Sequence, residues 1–222
     1  MITPFDWQEG IGNRAQYIEG KLRHGSPVLA VSLNAGILIY TRRRQSRKIF
    51  EVYDRLAFAA IGQQSDVESL RTAAVEFAHQ EGYNRSEQDV TIQRVVTALS
   101  GPVKNAFGDF STSPLVAKSL FAEVNATPDQ DEFYVLGYDG DYARSRRYAL
   151  VAGSDDFATD ATAKLADTPL DTDPKDAISL LSNVWESLMD LDGPIDDLTA
   201  EAMLIDRSGE REDRFRLLLP AE

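Results

Sequence analysis

Amphipathic stretches and short apolar runs follow one another along the chain in a definite order. Near the start, Trp7, Ile11, Ile18 and Leu22 recur close to helical spacing. They lie at and behind Asp6-Trp-Gln-Glu9, which has the form of a capping box. A helix over 6–24 is predicted, with Gly25 as its left-handed stop. Gly10, Gly12 and Gly20 weaken it, since glycine inside a helix costs roughly 0.5–1 kcal/mol against alanine. Such a helix needs a partner surface to persist. Beyond Gly25 the apolar runs shorten to strand length. Residues 28–33 and 37–41 flank Asn34-Ala-Gly36 and read as a hairpin, and 49–52 with 56–61 form a second pair.

Helical spacing then returns. Ser65-Asp-Val-Glu68 is a second capping box, followed by Val67, Leu70, Ala74, Phe77 and Ala78 as a buried stripe. A further helix is predicted from Ser86, carrying Val90, Ile92, Val95, Val96 and Leu99, with Gly101-Pro102 kinking or ending it. Strands follow at 115–124, 133–138 and 148–152, the last two joined through Asp139-Gly-Asp141. Helices come next at 157–165 and 176–191, the second burying Ile178, Leu181, Trp185 and Leu188. A closing hairpin, 198–206 with 215–219, turns at Ser208-Gly209. Strands, two helices, strands, two helices, strands is the order expected of an α+β, four-layer αββα sandwich. The whole chain, 1–222, reads as one domain: a short leader at 1–5, the helix at 6–24 and the sandwich at 26–222.

Composition removes several function classes. The chain has 222 residues and a formal charge of −13, with 23 Lys and Arg against 36 Asp and Glu. That balance opposes a general nucleic-acid or anionic-membrane surface, which selects for basic patches. With no cysteine and only His24 and His79, neither a disulfide framework nor a metal cluster is expected, and no cofactor is called for. His79 reads as a surface or packing residue. Twelve acids crowd 155–197, but without EF-hand spacing they read as a solvated surface. The N-terminus lacks a signal-peptide pattern, and no apolar run approaches the ~18–20 residues that cross a bilayer. A cytoplasmic location is expected.

Three stretches carry a resemblance. They are Tyr17-Ile-Glu-Gly-Lys-Leu-Arg-His-Gly-Ser26, then Lys48-Ile-Phe-Glu-Val-Tyr-Asp-Arg55, then Phe58-Ala-Ala-Ile-Gly-Gln-Gln-Ser-Asp66. In order and spacing the chain resembles the proteasome subunits, whose fold is that of the N-terminal-nucleophile hydrolases, and within them the noncatalytic α type, actinobacterial kind. Ser26 falls where active β-type subunits expose a threonine whose own α-amine is the base. An internal Ser26 has only a peptide nitrogen there, and a hydroxyl without a base is a weak nucleophile. Arg42 falls where active subunits keep an aspartate, and a cation there would repel Lys48. Gly62 matches the oxyanion glycine, although a glycine after a strand is more often backbone geometry. No catalytic residue is assigned.

The resemblance implies instead a subunit that works through interfaces. Trp7, Ile11, Ile18 and Leu22 would form the ring-assembly helix of a self-associated ring, expected to be seven-fold, stacked on β-type subunits. Lys48 would line a pocket that binds the C-terminal carboxylate of an activator, commonly a ring-shaped ATPase, work suited to a compact ammonium on a flexible stem. A solvated strand-edge lysine is the plainer reading. Arg42, Arg43, Arg44 and Arg47 would steer acidic tails toward that pocket, or would form a solvated loop. Met1, Ile2, Thr3, Pro4 and Phe5 would be the gate at the ring axis, reaching at most ~18 Å. Two alternatives stay open: an N-terminal serine hydrolase freed by cleavage before Ser26, and a stand-alone adaptor with the same fold.

Overall fold

The computed structural model describes residues 4–154, 158–189 and 197–218. Five helices and ten strands follow in chain order: α1 (Pro4–Leu22), β1 (Val28–Leu33), β2 (Gly36–Arg43), β3 (Ile49–Tyr53), β4 (Leu56–Gly62), α2 (Gln64–Asn84), α3 (Ile92–Gly108), β5 (Ala117–Glu123), β6 (Glu132–Leu136), β7 (Tyr142–Ser145), β8 (Tyr148–Val151), α4 (Ala158–Ala166), α5 (Pro174–Leu188), β9 (Thr199–Asp206) and β10 (Phe215–Leu218). The strands form two five-stranded sheets, ordered β10-β9-β2-β1-β8 and β3-β4-β5-β6-β7. Every pairing is antiparallel.

Side-chain alternation sets the layers. On β1, Val28 and Ala30 enter a central core with Ile37 and Ile39 of β2, facing Ala57, Ala59 and Ile61 of β4 in the other sheet. Leu29, Val31 and Leu33 point the opposite way, onto α4 and α5. Likewise Leu56, Phe58 and Ala60 of β4 lie under α2 and α3. Both faces of each sheet are therefore covered, which is why β1 and β4 read as unbroken apolar runs although the sheets are antiparallel. The result is the αββα sandwich. α1 closes one end of it, with Ile18 and Leu22 set into the central core.

Several expectations are corrected at element boundaries. α1 already includes Pro4 and Phe5, so the leader is shorter than expected; Met1, Ile2 and Thr3 lie outside the described residues. Asp6 is inside α1 rather than at its cap, and Gly25 is not left-handed: its N–H donates to Leu22 O at 2.7 Å, tightening the exit. α2 starts at Gln64, and its Asp66 carboxylate accepts from Val116 N at 2.8 Å, tying helix to sheet instead of capping. α3 begins at Ile92, after a short 3-10 turn at Glu87–Asp89, and runs through Pro102 to Gly108. There Pro102 removes only one donor, while Val103 beyond it is buried against the sheet and holds the last turns. β7 lies where the sequence pattern predicts no strand, because its four residues are exposed or half-buried and give no apolar run. The strand at 148–152 is not joined directly to β6 as expected: β7 intervenes and pairs with β6, and β8 crosses to the other sheet beside β1. α5 begins two residues earlier than expected, at Pro174, with Asp173 Oδ1 accepting from Lys175 N. Of the acidic stretch, residues 155–157 and 190–196 lie outside the described residues.

Candidate functional site

Ser26 and Lys48 meet where β1 begins, β2 ends and β3 begins. Ser26 Oγ donates to the Arg42 carbonyl oxygen at 2.5 Å and accepts from Trp185 Nε1 at 3.2 Å. The same indole N–H reaches Pro27 O at 3.1 Å, and Thr41 Oγ1 donates to Pro27 O at 2.7 Å. A carbonyl oxygen cannot take a proton from a hydroxyl in the pH range of proteins, so this geometry holds Ser26 without activating it. The backbone before it is committed as well: Gly25 is pressed against Leu22 O and Ile61, and Gly153 passes so close to Leu22 O that an added Cβ would stand 1.8 Å away.

Lys48 Nζ donates to Ser26 O at 3.1 Å. Burial pushes its ammonium down to about 8, with the Glu201 carboxylate pulling the other way. Glu201 is the hub of this corner. It sits on β9 opposite Thr41, is 3% exposed, and accepts from Lys48 N at 3.0 Å and Ile49 N at 3.3 Å. Arg43 Nε and Arg47 Nε stand 3.3 and 3.6 Å from its oxygens. Thus Glu201 fixes the loop from β2 to β3 and offsets part of the basic run. Arg42 turns its guanidinium to α5, where it pairs with Glu186, donates to Ser182 Oγ at 3.0 Å and covers the Trp185 ring at 4.8 Å. The charge that reaches solvent is therefore smaller than the sequence count.

Gly62 closes β4 at φ +140, and a Cβ there would stand 2.0 Å from Val116 O. Its backbone geometry alone demands glycine. The helix residues divide: Ile18 and Leu22 are buried at 0% and 3% in the chain's own core, Ile11 is half-buried, and Trp7 is 46% exposed. His79 stacks edge-on against Tyr53. Sequence reasoning missed Glu201 and gave Trp185 only a packing role. A carboxylate inside the apolar run Ala200-Glu-Ala-Met-Leu-Ile205 was the available signal for the first. Nothing in the spacing pointed to the indole's bond with Ser26.

Two troughs of about 520 and 730 Å³ adjoin at Lys118, Gly137 and Ala152; Lys48 lines neither. Among the described residues no cluster of three metal-ligating side chains occurs, and no helix is long and apolar enough to cross a membrane.

Comparison with known proteins gives this geometry its context. A family model described as proteasome subunit matches residues 22–195. Relatives named proteasome subunit alpha include one from Acidothermus cellulolyticus, 33% identical over 75% of this chain and 72% of the relative. Another, from Jonesia denitrificans, is 30% identical over all of this chain and 86% of the relative. One from Frankia alni is 30% identical over 72% of this chain and 68% of its own length. Matched over well more than half its length by the family model, and across its full length by a relative at 30% identity, the chain belongs to the proteasome subunit family.

Proposed function

We propose that this chain is a noncatalytic, α-type subunit that forms an outer ring, stacks on β-type subunits carrying the threonine protease activity, and governs entry of unfolded polypeptide. One observation carries the reading: the Ser26 hydroxyl, which the family resemblance puts at the nucleophile position, belongs to a peptide-linked residue and donates its hydrogen bond to a carbonyl oxygen, which cannot serve as a base. Cleavage before Ser26 would also strip Ile18 and Leu22 from the central core, so self-processing would damage the sandwich it is meant to activate. Relatives named proteasome subunit alpha support the same assignment.

Within that reading, Lys48 docks an activator's terminal carboxylate. Its ammonium must leave Ser26 O to do so, and the pocket takes its second wall from a neighbouring copy. Because the amine loses its charge near pH 8, carboxylate docking weakens as pH rises through that value. With Ile18 and Leu22 committed to the core, packing between subunits falls to Trp7, Ile11 and the exposed face of α1. A seven-fold ring, an ATPase activator and a gate at Met1–Phe5, of which Pro4 and Phe5 already belong to α1, complete the proposal on family resemblance alone.

Co-expression with an actinobacterial β-type subunit tests it. Native mass spectrometry should show a stacked-ring particle containing this chain with residues 1–25 intact, and Ser26→Ala should leave its peptide hydrolysis unchanged. Absence of any particle, or a chain starting at Ser26 that cleaves peptides without a β partner, would overturn the reading.

A further inference from the structure

We infer that Phe110, in the loop after α3, is the residue that positions the N-terminal half of α1 for packing between subunits, through a seat made by Trp7, Gly10 and Arg14. The inference rests on the ring-forming role proposed above. The three seat residues are spaced three and four apart, so they share one side of the helix. Trp7 meets the Phe110 ring edge-on at 5.1 Å between centroids. The Arg14 guanidinium carbon lies 5.3 Å from the same ring, and its Nη2 donates to Ala106 O at 3.2 Å and Thr112 O at 2.7 Å. Between them, Gly10 lets the ring rest on the helix backbone: an added Cβ would stand 3.0 Å from Phe110 Cε1 and Cζ.

The loop is itself braced. Asp109 Oδ1 accepts from Ser111 N at 2.9 Å and Ser111 Oγ at 2.6 Å, so Phe110 is presented on a closed turn rather than a loose one. The two halves of α1 are held differently as a result. Ile18 and Leu22 bolt the C-terminal half into the core, whereas Asp6, Trp7, Gln8 and Glu9 are exposed. Gly10, which weakens the helix by propensity, has a positive use: it is the slot for the ring. Direction matters because a ring closes only if each subunit presents its contact helix at one fixed angle.

Phe110→Ala, Phe110→Tyr and Gly10→Ala test this in the full-length chain. Phe110→Ala is expected to raise amide exchange over residues 6–14 and the concentration needed for half-maximal ring assembly by about tenfold each, the scale of one lost aromatic contact. Exchange at Ile18 and Leu22 should hold. Acrylamide quenching reports the same event, since Trp7 is exposed and Trp185 is buried. Phe110→Tyr should restore wild-type behaviour. Gly10→Ala should weaken assembly even though alanine is the better helix former, because its methyl displaces the ring. Unchanged exchange in Phe110→Ala, or raised exchange with assembly as in wild type, overturns the inference. If the wild-type chain forms no ring, the proposed function falls, and the exchange and quenching arms still decide whether Phe110 holds α1.

Discussion

At the scale of single residues, the corner around Ser26 shows a serine hydroxyl held as a structural group. The hydroxyl is bonded in both directions, to Arg42 O and from Trp185 Nε1, and the neighbouring ammonium is occupied by Ser26 O. Lys48 gives a pH prediction with a definite sign. Its folded value of about 8 lies below the ordinary 10.5, so between these the unfolded chain binds a proton that the folded chain does not. Stability from this site therefore rises with pH across that window. Urea unfolding midpoints of the wild type should rise relative to those of Lys48→Met between about pH 8 and 10.5; parallel curves would refute it. Gly62 gives a second prediction. Alanine there must adopt φ +140 and displace Val116 O from 2.0 Å, so Gly62→Ala should cost about 3 kcal/mol or more. A loss below about 1 kcal/mol would show that the β4 terminus can rearrange.

Among the elements, α1 matters most, because it is both the leader before Ser26 and part of the core. Removing residues 1–25 takes away the buried side chains of Ile18 and Leu22, at about 1.5–3 kcal/mol each. The trimmed chain should unfold at a lower urea concentration by a margin of about 3–6 kcal/mol, and equal stability would reopen the self-processing alternative. The elements also show where patterning is readable. Helices α2, α3 and α5 announce themselves because their buried apolar residues recur with the helical period, from Val67 to Ala78, from Ile92 to Val103 and from Ala177 to Trp185. β7 does not, since an edge strand whose residues stay exposed or half-buried has no reason to be apolar. The continuation of α3 past Pro102 was hidden for a related reason: the burial of Val103 against the neighbouring sheet is a tertiary fact.

Over the whole molecule, one buried network ties distant segments together. Asp131, fully buried in the loop before β6, receives both Arg207 Nη1 and Nη2 at 2.8 Å, Ser32 Oγ at 2.7 Å and Asn125 N at 2.8 Å. Arg207 also donates to Leu33 O and Asn34 O. The β1–β2 turn, the β5–β6 loop and the β9–β10 hairpin are thus clamped across both sheets. Asp131→Ala leaves a largely buried guanidinium without its counter-charge and should cost about 3–5 kcal/mol, whereas replacing both partners with apolar residues should cost much less. Thermal unfolding of the single and double variants distinguishes these outcomes, and equal losses would argue against the charge pairing as the cause.

The sequence by itself determined the order of the layers, because periods of two and 3.6 residues follow directly from strand and helix geometry and survive without any knowledge of contacts. It also made the family resemblance visible, through local strings from Tyr17 to Asp66, and placed Ser26 inside a continuous chain. Only the tertiary structure decided the partners. Glu201 lies more than 150 positions from Lys48, and Trp185 as far from Ser26, so neither pairing leaves a trace in local spacing. The same holds for the assignment of β8 to the sheet of β1, for the diversion of Arg42 to Glu186, and for the seat of Phe110 on Gly10. A side chain's periodicity is written in its neighbours along the chain, whereas its ion pairs and close approaches arise only when the two sheets and their helices have closed over one another.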